Sequence, residues 1–187
     1  DLTVGAPGPN HGLVLLGFTG TKRTAASAAN TGITNLRILR PGYPLNTAKL
    51  FTDEYIALCK SADFACYRYY NLQNIWTADP VYPAVMTWAN RKLPTDACQA
   101  DMEAMNGKAD GWCWEYIIAL ANTLDRDIWV CVHTSAEAAY VTSLAQMLKA
   151  QLHAGINIYV ENSNEVWSPT WNDNGPYNDA QATATPS

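Results

Sequence analysis

The sequence predicts an α/β fold built on a parallel sheet, and three observations predict it. Four short runs of strand character recur along the chain, and segments with apolar stripes at helical spacing stand between them. The chain also has 187 residues with 48% hydrophobic content, which suits one domain with a real core. Strands alternating with helices argue for parallel pairing, with the helices packed outside the sheet in right-handed βαβ units.

Residues 1–32 are rich in Gly, Pro, Ala and Thr and carry one apolar stretch of strand length, Leu13 to Phe18, so they are read as a short N-terminal β extension. The domain proper spans 33–172. Its first strand is "NLRILR", Asn35 to Arg40, alternating polar and apolar until Pro41-Gly42 stops it. Thr52 then caps a helix over Asp53 to Ala62, where Phe51, Tyr55, Leu58, Cys59 and Ala62 recur at helical spacing. "FACYRYY", Phe64 to Tyr70, is the second strand. A long loop follows over 71–111, broken by Pro80, Pro83 and Pro94; loops of that length are usually functional or carry small structures of their own. Trp114, Ile117, Ile118, Ala121 and Leu124 form the stripe of a helix capped by Asp110, and "DIWVCVH", Asp127 to His133, is the third strand. Thr134 with Glu137 matches a capping box for a helix lined by Val141, Leu144, Ala145, Leu148 and Leu152, which Gly155 ends. "INIYVEN", Ile156 to Asn162, is the fourth strand. Residues 173–187 read as a flexible tail or linker.

Composition removes several classes of function. Lys and Arg total 12 against 17 Asp and Glu, with no basic cluster, so nucleic acid is not an expected partner. No apolar run approaches the roughly 20 residues that cross a bilayer, so a soluble protein without membrane insertion is expected. His11, His133 and His153 lack metal-ligand spacing, and no Gly-rich phosphate loop or nucleophile elbow occurs; neither a metal nor a nucleotide cofactor is implied. The chain opens at Asp1, as a mature product or an excised piece would. Of five cysteines, Cys59 with Cys66 and Cys98 with Cys113 are read as two disulfides in a secreted protein, while Cys131 sits in an apolar run as a free thiol; five free thiols is the competing reading.

In folds of this kind chemistry gathers at the carboxyl ends of the strands. Arg68 ends the second strand, His133 the third, and Asn164-Glu165 follows the fourth, so residues distant in sequence share one rim. The bland alternatives stand beside this one: Arg68 pairing with Asp63, and His133 as a satisfied strand-end histidine. Trp76, Trp88, Trp112, Trp167 and Trp171 fall in loops or at strand ends, where flat rings suit the faces of sugars.

"YVENSNEVW", Tyr159 to Trp167, resembles the strand-four signature of the clan A glycoside hydrolases, TIM barrels in which an Asn-Glu pair supplies the general acid/base. "NLRILRPGY" (Asn35 to Tyr43), "YRYYN" (Tyr67 to Asn71), "WEYIIALAN" (Trp114 to Asn122) and "WVCVH" (Trp129 to His133) occur in the same order in large extracellular, cellulase-like proteins of that type. The resemblance covers roughly residues 33 to 172 and implies a partial, TIM-barrel-like sheet of four βα units. It further implies that Glu165 protonates the glycosidic oxygen and then serves as base toward water, and that Asn164 bonds the sugar 2-hydroxyl. His133 and Arg68 match positions that orient substrate or carboxylates; apart from the resemblance, Trp167 and Trp171 are the two of the five loop tryptophans expected to contact substrate. Val166 and Trp167 would supply an apolar wall that raises the Glu165 pKa.

One element of the pattern is missing. A retaining enzyme needs a second carboxylate about 5 Å away, which the family places at the end of strand seven, and only Asp173 and Asp179 follow Glu165 here. Four βα units also leave two open sheet edges and an uncovered face. A second polypeptide, a copy of the chain, or its own N-terminal segment and long loop could cover them. The expected function is therefore retaining hydrolysis of a β-linked polysaccharide in an assembly that supplies the nucleophile. The alternative is a non-catalytic extracellular module, carbohydrate-binding or structural, that self-assembles.

Overall fold

The structure is a computed structural model that describes residues 18–34, 39, 42–70, 85–96, 99, 111–167, 179–180 and 182–184. The predicted first strand, apart from Leu39, and the strand-like stretch Leu13 to Phe18, apart from Phe18, lie outside the described residues, as do Trp76, Cys98, Asp110 and Trp171. The chain divides into two compact units, 1–48 and 49–187. In the first, a turn network is held by Gly20 N–H donating to Asn30 Oδ1 (2.8 Å) and Thr31 N–H donating to the Thr21 carbonyl (3.1 Å). Gly32 lies so close to this turn that a Cβ would stand 2.6 Å from the Lys22 nitrogen.

The second unit holds the sheet. Helix α1 (Asp53–Lys60) starts where expected, its N-cap Thr52 accepting from Tyr55 N–H at 3.2 Å, with Asp53 and Glu54 in the first turn and Lys60 in the last. Strand β1 (Cys66–Arg68) follows, then α2 (Trp114–Leu124), β2 (Asp127–Val132), α3 (Ala138–Gln151) and β3 (Ile158–Asn162). The three strands pair in parallel in the order β1-β2-β3. An α/β fold with a parallel sheet is thus what the chain forms.

Alternation along each strand sends side chains to opposite faces. Tyr67, Tyr69, Ile128 and Val130 face the helices, packing with Ile117, Ile118, Leu120, Ala121 and Leu124 of α2, Tyr140, Leu144 and Leu148 of α3, and Tyr55, Ile56 and Cys59 of α1. Within this core Trp114 Nε1 donates to the Tyr140 hydroxyl at 2.6 Å, and Trp88 meets the Tyr140 ring edge to face. Arg68, Trp129, Cys131, Tyr159 and Glu161 project to the other, open face, where Trp129 is 41% and Tyr159 52% exposed. Among the described residues no helix is long and apolar enough to cross a membrane.

Several local expectations are corrected. Glu137, not Thr134, is the N-cap of α3, and its side chain makes no capping bond. The capping segment is diverted instead to Met86, whose N–H donates to the Ser135 carbonyl (2.9 Å) and whose carbonyl accepts from Glu137 N–H (3.0 Å). The long loop therefore does carry structure, a 3₁₀ turn over Trp88–Asn90 beside this bridge. Cys113, not Asp110, is the N-cap of α2. Residues 179, 180 and 182–184, in the expected tail, are helical.

Cys59, Cys66, Cys113 and Cys131 are free thiols. Cys59 packs against the helical core, whereas Cys66 shares the parity of Arg68 and lies beside Asp127 in the β1–β2 register, so the two point to opposite sides of the sheet and cannot pair. Burial pushes the Cys113 thiol up to about 11 and the Cys131 thiol up to about 12. Mass mapping after brief alkylation of folded protein near neutral pH should find Cys59 and Cys66 labelled without prior reduction, and Cys113 and Cys131 labelled only after unfolding. A Cys59–Cys66 cross-link in that map would contradict the arrangement. Ile117 is fully buried between α2 and the sheet, so Ile117→Ala should lower the unfolding free energy by about 2–5 kcal/mol, read from denaturant midpoints.

Candidate functional site on the open sheet face

The register sets Arg68, Trp129 and Tyr159 in one row across the open face, and Cys131 and Glu161 in the next row toward the strands' carboxyl ends. Arg68 organises both rows. Its Nε (3.0 Å) and Nη2 (2.7 Å) donate to Glu161 Oε2, and Nη2 also donates to Asn164 Oδ1 at 2.7 Å. The guanidinium lies over the rings of Tyr70 (4.8 Å) and Trp129 (5.2 Å). Glu161 Oε2 further accepts from Trp129 Nε1 at 2.9 Å and from the Cys131 thiol at 3.4 Å.

These contacts fix the charge states. Burial alone pushes the Glu161 carboxyl up, but hydrogen bonds from Arg68 and Cys131, the guanidinium charge and the Trp129 N–H together hold it below its ordinary range. Burial pushes the Cys131 thiol up and the Glu161 charge pushes it further, so it stays protonated and donates. An ionised carboxylate, a charged guanidinium and a neutral thiol thus sit together with their roles settled at neutral pH.

Past β3 the backbone turns sharply. Ser163 N–H donates to the Val132 carbonyl (2.6 Å), extending the ladder by one bond, while Ser163 (φ 53°) and Glu165 (φ 45°) both adopt left-handed conformations that L-residues avoid. Ser163 is fully buried, and its hydroxyl has no hydrogen-bond partner among the described residues. The turn buries Asn164, 5% exposed, and leaves Glu165 exposed at the rim. Glu165 is in electrostatic reach of Tyr70, whose phenol is pushed up by burial, down by Arg68, and up again by the carboxylate charges of Glu165 and Glu161.

Of the residues the sequence singled out, Arg68, Asn164 and Glu165 gather here. His133 follows β2 directly, buried, with Nδ1 accepting from Ser135 N–H (3.1 Å) and 2.8 Å from the Ser135 hydroxyl, which leaves the proton of the neutral ring on Nε2. Arg68 does not pair with Asp63; that carboxylate meets Arg126 (2.6 Å) beside a cavity of about 500 Å³ near the strands' amino ends. The apolar wall for Glu165 does not form, because Trp167 is 77% exposed and Glu165 faces solvent. Trp88 and Trp112 are packing residues, the first on Tyr140 and the second stacked on Phe51 at 5.9 Å. Glu161, Trp129, Tyr70 and Cys131 were not anticipated as site residues, although alternation in "IYVEN" and "DIWVCV" already puts Glu161, Trp129 and Cys131 opposite the apolar face.

Among the described residues, no three His, Cys, Asp or Glu side chains are grouped to hold a metal ion. No family model, curated protein or solved structure matches this chain. What fold and site define is an α/β domain whose parallel sheet carries a charge-balanced Arg–Glu–Asn cluster on its open face.

Because Glu161 titrates below an unfolded glutamate, its contribution to stability is present above about pH 4.3, the unfolded value, and drains away as pH falls further toward the native value. Glu161→Gln should therefore cost about 1–2 kcal/mol at pH 7, since it strands Arg68 without its carboxylate. In urea unfolding from pH 7 to 3 the gap between the two proteins should hold to about pH 4.3 and close below it. A gap unchanged at pH 3 would contradict the assignment.

Proposed function

We propose that this chain is a glycoside hydrolase-like domain, the first part of a TIM-barrel-like parallel sheet, that acts on a β-linked polysaccharide by retention with a second carboxylate supplied from outside this chain. The observation that carries the reading is the Arg68–Asn164 hydrogen bond at the carboxyl-end rim: Asn164 Oδ1 accepts from the guanidinium, which holds a buried amide next to an exposed glutamate on a left-handed turn. Such an amide can donate to a sugar 2-hydroxyl while Glu165 delivers its proton to the neighbouring glycosidic oxygen and later takes one from water. Arg68 and Glu161 act as positioning residues for Asn164. Glu161 itself is engaged by four donors on one oxygen, which suits a fixed charge more than a nucleophile. The second polypeptide or second copy that completes the sheet would bring the nucleophile.

A second reading rests on a different observation. Strand β3 is the outer strand of the described sheet, and its Ile158 and Val160, on the side opposite Glu161, are 39% and 66% exposed; an outer strand bearing exposed apolar residues is of the kind that pairs with other chains. It favours a non-catalytic extracellular module, carbohydrate-binding or structural, that assembles with itself.

Native mass spectrometry of the purified particle, beside its denatured and reduced chains, separates the two readings. The hydrolase reading expects a second polypeptide with the 20.5 kDa chain, and a particle in which Glu165→Gln slows hydrolysis of an unactivated β-glycan by at least about 100-fold. A homopolymer without hydrolytic activity would sink it and leave the scaffold.

A further inference from the structure

One acceptor and one donor on the open face are left unused. Glu161 Oε2 takes all four of its donors, while Oε1 accepts no hydrogen bond from the described residues. Arg68 engages Glu161 and Asn164 through Nε and Nη2, and its Nη1 donates to no oxygen among the described residues. Arg68 is in register with Trp129, and Trp129 with Tyr159, yet the carboxylate that Arg68 binds is Glu161, two residues further toward the carboxyl end across two strands. A stagger of about one residue per strand is that of an eight-stranded parallel barrel with shear eight, in which inward side chains of alternate strands share a layer of four. Strands β1 and β3 are alternate strands, so Arg68 and Glu161 make half of such a layer.

We propose that a second copy of this chain closes the sheet, with Arg68 of each copy donating to Glu161 Oε1 of the other. The sequence expects four strands per chain, the first over 35–40, so two copies supply the eight of a closed barrel. When β3, the outer strand of the described sheet, meets the first strand of the second copy, that copy's β1 stands two strands from β3. That is the spacing Arg68 already spans within one chain. A two-fold axis along the barrel leaves heights unchanged, so one layer holds Arg68, Glu161, Arg68 of the second copy and Glu161 of the second copy, with opposite charges at every step. The surface is self-complementary, as a two-fold interface must be. Each unused oxygen meets a guanidinium and each unused nitrogen a carboxylate, while Trp129 and Tyr159, exposed in the single chain, become interior packing. The inference goes beyond both readings of function and rests on neither. The second copy is at once the outside chain that the hydrolase reading asks for a carboxylate and the self-assembling partner of the scaffold reading.

The test is sedimentation equilibrium of the full chain, wild type and variants, with circular dichroism to show that each is folded. The wild-type chain should sediment as a dimer, at twice the 20.5 kDa of the chain. Arg68→Ala and Glu161→Gln should each weaken dimerisation about tenfold or more. An equimolar mixture of these two variants separates a contact within the chain from one between chains. Neither variant alone can form an Arg68–Glu161 pair of any kind, whereas the mixed dimer holds one, and only between chains. The mixture should therefore dimerise about tenfold more tightly than either component. Tyr159 is half exposed in the single chain, so Tyr159→Glu should leave the monomer folded and abolish the dimer by placing an unpaired charge in the closed interior; it reads the face even where Arg68→Ala fails to fold. A mixture no tighter than its components, or a dimer that keeps its affinity in Tyr159→Glu, would overturn the proposal. Open-ended polymers in place of a dimer would sink it as well, since the edge would then pair without closing. So would a wild-type chain that stays monomeric, and a native particle holding a different polypeptide beside this chain would in that case leave the hydrolase reading standing. A dimer that behaves as expected but hydrolyses no β-glycan keeps the interface and removes the hydrolase.

Discussion

Everything at the site depends on the two-residue alternation of three strands held in one parallel register. Arg68 is on β1 and Glu161 on β3, with β2 between them, so their backbones are two strand spacings apart across the sheet, roughly 9–10 Å, and one row apart along it. A guanidinium on a long stem bridges that gap, and it does so by lying across the Trp129 ring on the intervening strand. A slip of one residue in either pairing would turn Glu161 or Arg68 into the apolar layer under α2 and α3, where Ile128 and Val130 are fully buried. The apolar face therefore fixes the polar one. Burial of Ile117, Leu120, Ile128 and Val130 selects the register, and the register together with the left-handed turn after β3 brings the Arg–Glu–Asn cluster together.

A lysine in place of Arg68 would fill only part of this role. The planar fork donates to one carboxylate oxygen through two nitrogens and to an amide oxygen through one of them, while its faces meet Tyr70 and Trp129. An ammonium has no flat face to stack and no fork to share. The same cluster balances the strain of the turn after β3. Left-handed Ser163 and Glu165 are unfavourable by themselves, and what holds them is the ladder bond to Val132 on one side and the anchored Asn164 amide between them.

The elements that the sequence made legible are those in which local pattern and tertiary packing agree. Thr52, the Ile117/Ile118/Ala121/Leu124 stripe and the apolar runs of β2 and β3 each point to the structure they adopt. The α3 capping box failed because a tertiary partner, Met86, took the backbone groups that Thr134 would have organised. The Cys59–Cys66 pairing failed because closeness in sequence ignores which side of the sheet a residue faces. Glu161 was hidden for a related reason: its partner is 93 positions away, and the Asn-Glu dipeptide points instead to a carboxylate four residues further on. Reading the residues of the parity opposite the apolar core across all the predicted strands together would have put Arg68, Trp129, Cys131 and Glu161 on one surface.

That surface constrains what can lie against it. Its aromatic area invites cover, yet a wholly apolar partner would seal Glu161 Oε1 away from water with no donor, which costs at least about 1–3 kcal/mol and more for an ionised oxygen. A partner that fits must therefore bring a hydrogen-bond donor to that oxygen and flat apolar contact to Trp129 and Tyr159 together. The outer edge of β3 carries no such polar requirement at Ile158 and Val160, which project to the opposite side from Glu161. The two exposed regions of the sheet thus make different demands: the face carries a carboxylate oxygen that must stay wet or meet a donor, and the apolar side of β3 carries none.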